Sequence, residues 1–193
     1  QNGSIWGHGS YLGPDYSARY LHELSADVGN GVARQEFSKD LSALNNEQRL
    51  LIDARVAKLL KENRYDPASK QLPFLDAERA SYERQIMVWR DFFLQPTTNT
   101  GLPSKYIQAP EEIRQLTAFF AWTAWASVAN RPDKTYSYTN NFPYDPMVGN
   151  RLTADALLWS ALSVAMLLAG QAMVLFTFGR FDYLGWKGES RGI

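Results

Sequence analysis

The sequence contains no cysteine in 193 residues. This absence excludes disulfides, thiolate catalysis, iron–sulfur clusters, Cys-ligated zinc and c-type haem, which is attached through a C-x-x-C-H motif. Only two histidines, His8 and His22, are present, too few for a typical His-rich metal site. Charge is balanced, with 20 Lys and Arg against 20 Asp and Glu. Nucleic acid is therefore excluded as the main partner, because phosphate binding needs clustered basic residues.

Familiar catalytic motifs are also absent. The chain has no G-x-S-x-G, no Walker loop and no H-E-x-x-H. The single histidine in Gly7-His8-Gly9 is more typical of a structural loop, and His22 is more typical of a surface or packing residue. Glu111 and Glu112 are adjacent, so they point in different directions on a helix and are explained by capping. The sequence predicts no catalytic and no cofactor-binding residue, which leaves a binding or structural module.

One long uncharged stretch stands apart from an otherwise charged chain. Ala156 to Gly179 holds 24 residues without a charge. As a helix it is ~36 Å long, enough to cross a hydrocarbon core of ~30 Å. Thr153 is a suitable N-cap, with Asp155 in the first turn. We therefore predict a transmembrane helix over 153–179.

The predicted span carries two features that a lone anchor does not need. Ala161, Ala165 and Ala169 recur every four residues, and such a small-residue face lets another helix approach closely. Gln171 lies near mid-membrane, where an amide facing lipid is costly. Both features indicate a helix packed within a bundle, although an Ala-rich composition alone also produces such a face.

The rest of the chain is predicted to be mostly α-helical, because apolar residues recur at spacings of three and four. Residues 1–152 form the predicted soluble domain. Its predicted elements are an ordered loop over 1–15, a helix capped by Asp15 or Ser17 that ends near Val28 at Gly29-Asn30-Gly31, helices over 46–63, 76–94 and 110–129, an irregular segment over 130–150, and at most a short strand pair around Thr135–Thr139. The helix from Pro110 is apolar nearly all round, so we expect it to be central or to lie against something apolar.

The orientation prediction comes from the charges beyond the span. They are Arg180, Lys187, Arg191, Asp182 and Glu189. Because cytoplasmic ends carry an excess of Lys and Arg, residues 180–193 are predicted to be a cytoplasmic linker and the large domain to be periplasmic or extracellular. The first residues show no charged n-region followed by an apolar h-region, so we expect an export signal upstream.

Two stretches of the sequence support a more specific interpretation than helical periodicity allows. GSIWGHGSYLGPDYSARYLH (3–22) and NRPDKTYSYTNNFPYDPMVGN (130–150) resemble the N-terminal region of quinol-dependent, single-chain bacterial nitric oxide reductases, members of the haem–copper oxidase superfamily. The segment LPSKYIQAPEEIRQLTAFFAWTAWASVANRP fits as well, whereas residues 27–95 are much less distinctive. The resemblance implies an N-terminal fragment, with a haem-less cytochrome c-like helical extracytoplasmic domain followed by one transmembrane helix.

The resemblance also implies a function for the whole enzyme. Such enzymes reduce NO to N2O with electrons from quinol, using haem b, haem b3 and a non-haem iron, in the bacterial inner membrane. The ligands of those metals lie in later helices, so this fragment is expected to be structural and inactive alone. Its partners would be the remaining transmembrane helices of the same enzyme.

A possible metal site is implied only by the resemblance. In the relatives, main-chain oxygens of a G-x-G-x-Y loop help hold a structural calcium, and the matching positions here are Gly9 and Tyr11. Carbonyl oxygens suit calcium as hard ligands. The remaining ligands, a carboxylate and haem propionates, would come from other parts of the enzyme. A plain loop with a packed tyrosine is the alternative at these residues.

Two further expectations follow from the same resemblance. The aromatic residues of the helices from Asp76 and Pro110 are expected to fill the space that a haem would occupy. The alternative function is a single-pass membrane protein with an extracytoplasmic sensor or partner-binding domain. The gene beyond Ile193 would distinguish them, because a reductase needs many further apolar spans with paired histidines.

Overall fold

The computed structural model describes residues 2–9, 12–95, 100–186 and 188. The chain divides into two compact units, Gln1–Leu152 and Thr153–Ile193. In the described part of the first unit the elements are, in order, β1 (Ser4–Ile5), β2 (His8–Gly9), α1 (Tyr16–Phe37), a short 3-10 helix (Leu41–Ala43), α2 (Asn46–Lys61), α3 (Asp76–Leu94) and α4 (Pro110–Val128). The second unit holds α5 (Ala154–Phe181) and a 3-10 turn (Tyr183–Gly185). The predicted mostly helical fold with one apolar C-terminal helix is confirmed.

Helix α1 is longer than the sequence predicts. It begins at the Asp15 cap, as expected, but it continues through Gly29-Asn30-Gly31 to Phe37, so the predicted interruption is wrong. Packing explains the difference, since a Cβ added at Gly29 would lie only 2.9 Å from the Met147 methyl carbon. Glycine costs a helix about 1 kcal/mol relative to alanine. Here it lets α1 approach the 130–150 segment closely.

Local capping sets the starts of the next helices. At α2 the Asn45 side chain accepts a hydrogen bond from the Gln48 amide at 2.9 Å, and the Gln48 side chain accepts one from the Asn45 amide at 3.1 Å. This reciprocal pair is the predicted capping box. Helix α4 begins with Pro110 in its first turn, also as predicted. The predicted bounds of α2, α3 and α4 agree with the structure within two residues.

Helices α1 and α4 form the centre of the domain. Helix α1 contacts α2, α3 and α4, and α4 contacts α1, α2 and α3. Nine residues of α4 are buried, which confirms its predicted central position. Its remaining face keeps Phe119 and Trp122 exposed at 45% and 50%.

A ring cluster lies where α1, α3 and α4 meet. Tyr16 stacks on Phe120 with centroids 4.6 Å apart and planes 8° from parallel. Trp89 meets Phe120 edge-on at 4.9 Å and is fully buried. The Arg19 guanidinium covers Trp89 at 5.0 Å from the ring centroid. Rings of this size bury large apolar areas, so this cluster dominates the packing energy of the domain.

One loop prediction needs correction. Residues 1–15 are not purely loop, since β1 and β2 pair as a short antiparallel hairpin in which Ser4 faces Gly9. The sequence allows at most a short strand pair around Thr135–Thr139, and the structure has a single bridge there, between Asn130 and Ser137. Side chains such as Asn141, which accepts a hydrogen bond from the Ser137 amide at 2.9 Å, replace strand pairing there.

The second unit is dominated by α5. The Thr153 hydroxyl accepts a hydrogen bond from the Ala156 amide at 3.2 Å, which confirms the predicted cap. The helix extends two residues beyond the predicted charge-free stretch at each end. No residue of α5 is buried, and its length and apolar composition suit a membrane span.

Replacing Trp89 with alanine should lower the free energy of unfolding by about 3–5 kcal/mol, the usual cost of deleting a buried aromatic ring. Trp122→Ala on the exposed face is the matched control and should cost less than about 1.5 kcal/mol. Chemical unfolding of the detergent-solubilised chain, followed by tryptophan fluorescence and circular dichroism, measures both. Equal losses would contradict the central role of the ring cluster.

Candidate functional site

The N-terminal hairpin is organised by one carboxylate, that of Asp15. Its Oδ2 accepts hydrogen bonds from the Ser4 hydroxyl at 2.9 Å and the Gly7 amide at 2.5 Å. Its Oδ1 accepts from the Ser17 hydroxyl at 2.5 Å and the Ala18 amide at 2.8 Å. Asp15 therefore caps α1 and holds the turn of the hairpin against the same helix end.

The hydrogen bonds also decide the protonation of Asp15. Burial by itself would raise the pKa of this carboxyl, but the four donors, led by Ser17, outweigh burial and hold the pKa below its ordinary value of 3.8. Hydrogen bonds that favour the charged form have this effect. The carboxylate is thus charged at neutral pH and acts as a fixed acceptor.

Trp6 fixes the hairpin to two helices. Its amide donates to the Ser17 hydroxyl at 2.9 Å, and its indole N–H donates to the Thr123 carbonyl of α4 at 3.0 Å. Its ring lies 5.8 Å from that of Trp122. The hairpin of residues 4–9 is thereby placed beside the N-terminus of α1 and the exposed face of α4.

Of the two predicted calcium ligands, the structure places only Gly9. Gly9 is exposed at the end of β2, and Tyr11 lies outside the described residues. At φ 140° a Cβ on Gly9 would lie 2.9 Å from the Gly3 carbonyl oxygen, so this position requires glycine. The carboxylate that the hairpin contacts, Asp15, already accepts four hydrogen bonds. The calcium site stays a prediction that needs ligands from elsewhere.

The two motifs that carry the resemblance meet in space at His22 and Asp145. His22 Nδ1 lies 3.0 Å from Asp145 Oδ2, across 123 residues of sequence. The Asp145 side chain is buried, and its Oδ1 accepts from the amides of Met147 and Val148 at 3.0 and 3.3 Å. The His22 ring is largely exposed. Of the two sequence-based interpretations, surface residue or packing residue, the structure shows a surface residue, here with a hydrogen-bond partner.

Asn150 closes the 130–150 segment. It is fully buried, and its Nδ2 donates to the carbonyls of Ser127 and Pro143 at 2.7 and 3.2 Å. Its Oδ1 accepts from the Lys61 ammonium at 3.0 Å. Burial lowers the pKa of Lys61. The segment that leads into α5 is therefore fixed to both α2 and α4.

The hydrogen bonds of Asp15, Asp145 and Asn150 position two loops on the helical domain. Among the described residues, no group of three or more His, Cys, Asp or Glu side chains could hold a metal ion. His8 lies exposed on β2, whereas His22, on α1, is paired with Asp145 of the 130–150 segment. What the geometry provides is a rigid helical domain with two anchored loops, followed by one helix suited to a membrane.

Comparison with known families identifies this architecture. Its class is that of helical cytochrome c-like domains associated with the membrane. Residues 1–144 match the family model of the NorB cytochrome c-like domain of nitric oxide reductase. The chain belongs to this family and so to nitric oxide reductase, an oxidoreductase. The comparison with curated proteins gives no match.

Sequence reasoning does not find the central role of Asp15 or Asp145. Asp15 is recognisable as a helix cap, but its bonds to Ser4 and Gly7 depend on a hairpin whose strands are too short for a periodic pattern to reveal. Asp145 lies in an Asp-Pro turn, where its own turn amides are the obvious partners. Nothing local points to His22, which is distant in sequence.

Asp15→Ala should lower the free energy of unfolding by about 2 kcal/mol, because it removes a helix cap and leaves the Gly7 amide without its acceptor. Asp15→Asn keeps one acceptor oxygen and should lower the free energy of unfolding by less than Asp15→Ala does. The control is Asp76→Ala, whose exposed side chain should matter by no more than about 0.5 kcal/mol. Thermal unfolding by circular dichroism measures all three.

The pH dependence of the same variants gives a second readout. Because the pKa of Asp15 is lowered in the folded state, its stabilising contribution is present above the ordinary value of 3.8 and is lost as pH falls through the lowered pKa. The difference between the wild type and Asp15→Asn should shrink below that value. A difference that grows on acidification would contradict the assignment.

The chain by itself should not bind calcium tightly, since two carbonyl oxygens fall short of the roughly six to eight ligands that calcium takes. Isothermal titration calorimetry of the 193-residue chain should show no saturable heat at micromolar calcium. Tight binding would mean that the chain supplies the missing ligands. Gly9→Ala in the full enzyme, where the site would be complete, should weaken calcium retention.

Proposed function

We propose that the chain is the N-terminal, structural part of a membrane nitric oxide reductase that takes its electrons from quinol. In the reaction two molecules of NO, two electrons and two protons give N2O and water. Quinol supplies both electrons and protons and leaves as quinone. The chain itself carries no catalytic residue, and haem b, haem b3 and non-haem iron would be held by later helices of the same enzyme.

The observation that carries this proposal is the lack of cysteine in a chain whose family is cytochrome c-like. Covalent c-type haem needs two cysteines and a neighbouring histidine. The two histidines are not placed to replace that motif, since His8 is exposed on the hairpin and His22 is paired with Asp145. A domain without this haem cannot relay electrons from a soluble cytochrome, which favours a donor that reaches the membrane part directly.

The domain interior supports the same conclusion. Trp89, Phe93 and Phe120 are buried between α1, α3 and α4, and Tyr16 stacks on Phe120. We infer that these rings take the volume that a haem would need, so the fold keeps its helices together by aromatic packing instead of by a cofactor.

The proposed partners are the remaining transmembrane helices. Every residue of α5 is unburied, including Gln171, whose amide is costly in contact with lipid. The Ala161, Ala165 and Ala169 face suits close helix–helix contact. Both features are satisfied if α5 is one helix of the catalytic bundle.

The proposed location is the bacterial inner membrane, with the large domain on the periplasmic side. The basic residues Arg180, Lys187 and Arg191 follow the uncharged stretch and favour a cytoplasmic end. Aromatic residues near both ends of the helix, such as Trp159 and Trp186, suit the two interfaces.

The full-length enzyme should consume NO when supplied with a short-chain quinol such as decylubiquinol, and not when supplied with reduced cytochrome c. An NO electrode measures both rates in the same preparation. Comparable turnover with cytochrome c would overturn the quinol proposal. Loss of all NO consumption in an intact, haem-loaded enzyme would overturn the reductase function itself.

Covalent haem provides an independent check. A peroxidase stain of the denatured full-length enzyme should show no haem on the polypeptide, with a C-x-x-C-H cytochrome as the positive control. The double variant His8→Ala/His22→Ala should keep the haem absorption spectrum of the parent, because neither side chain is proposed as a haem ligand. A changed spectrum would place one of these histidines at a haem.

A further inference from the structure

A small cavity lies inside the helical domain, separate from the hairpin and from the His22–Asp145 pair. It encloses about 20 Å³ of space. Its lining is mostly apolar, from α1, α2, α4 and the connection between α2 and α3, and the residues in it that carry polar groups are Tyr20, Arg64, Glu78 and Trp125. A cavity needs roughly 10–15 Å³ to hold one water molecule. This one therefore has room for a single small ligand and no more.

Two of the lining residues carry N–H groups that lack acceptors. Arg64 Nε, Arg64 Nη1 and Trp125 Nε1 are buried, and none has a hydrogen-bond partner among the described residues. A buried donor without an acceptor costs about 1–3 kcal/mol. Both residues line this cavity, so a ligand in it that accepts hydrogen bonds is the simplest partner for these groups.

The third polar residue sets the charge of the cavity. The Glu78 carboxylate binds Arg64 Nη2 at 2.6 Å through Oε1 and accepts the Leu75 amide at 2.7 Å through Oε2. The Arg64 and Glu78 side chains are 14% and 8% exposed. The Glu78 carboxylate neutralises the charge of the Arg64 guanidinium. An anion bound in the cavity would therefore be repelled by Glu78, with no unpaired cation to compensate.

We propose that this cavity binds one ordered water molecule. The water accepts hydrogen bonds from Arg64 and Trp125 and donates to the Glu78 carboxylate, which gives it the roughly two to four polar partners typical of buried waters. It joins the connection between α2 and α3, which contains Arg64, to the side of α4 that carries Trp125. It is thus a structural ligand of the domain.

Heteronuclear NMR of the detergent-solubilised chain, labelled with 15N on tryptophan, tests the proposal. The indole N–H of Trp125 should show cross-peaks to water whose NOE and ROE have opposite signs, the signature of a long-lived bound water. Trp125→Phe assigns the signal by removing it. Trp122→Phe, the same substitution on an exposed residue of the same helix, should leave it unchanged.

A second variant tests the role of Arg64. Arg64→Lys keeps the charge but loses the Nε and Nη1 donors, so the water should be held less firmly. The Trp125 indole N–H should then exchange with solvent about fivefold faster, the factor expected for one net hydrogen bond. Circular dichroism confirms that the helices are intact.

Two results would overturn the proposal. A Trp125 indole signal without a water NOE, in a folded chain, would mean that the cavity is dry. An anomalous bromide peak beside Arg64 and Trp125, in crystals of the full-length enzyme soaked in bromide, would assign the site to a halide instead. A spherical, non-anomalous peak at that place supports the water.

Discussion

The stack of Tyr16 on Phe120 is the contact on which the rest of the domain depends, because it joins the first helix of the chain to the last helix of the domain. The Trp89 ring of α3 contacts both of these rings, so α1, α3 and α4 share one aromatic cluster. Tyr16 is the first residue of α1, and the Asp15 cap next to it fixes where that helix begins. The Asp15 carboxylate therefore fixes the turn of the hairpin, the start of α1 and the position of the Tyr16 ring.

A second constraint acts at the other end of the domain. Asp145 uses one oxygen for its own turn amides and the other for His22, so the turn geometry and the contact with α1 are fixed together. Asn150 then binds the segment to α2 and α4. The Asp145 and Asn150 side chains are buried, and buried polar groups whose hydrogen bonds are satisfied favour one arrangement of the loop. The segment that ends at Asn150 is therefore held in a fixed position on the domain.

Much of this fold can be predicted from residues, and the failures have physical causes. Asn45 and Thr153 signal helix starts through hydrogen bonds to amides three residues away, and Pro110 signals one because proline suits the first turn. Such signals can be read directly from the sequence. Gly29 misleads because a glycine that permits close packing looks the same in sequence as one that ends a helix. The hairpin and the Asp145–His22 pair depend on long-range contacts that no local pattern encodes. The family motifs identify the two loops but not how they meet.

The long separations in sequence have a consequence for how the domain is made. Trp6 finds its partner Thr123 across 117 residues, and His22 finds Asp145 across 123. Contacts this far apart close large loops of chain, which slows folding and delays the cooperative step. The Trp6 indole and the His22 imidazole therefore gain these partners only when residues 123 and 145 are in place, so the two ends of the domain must fold together.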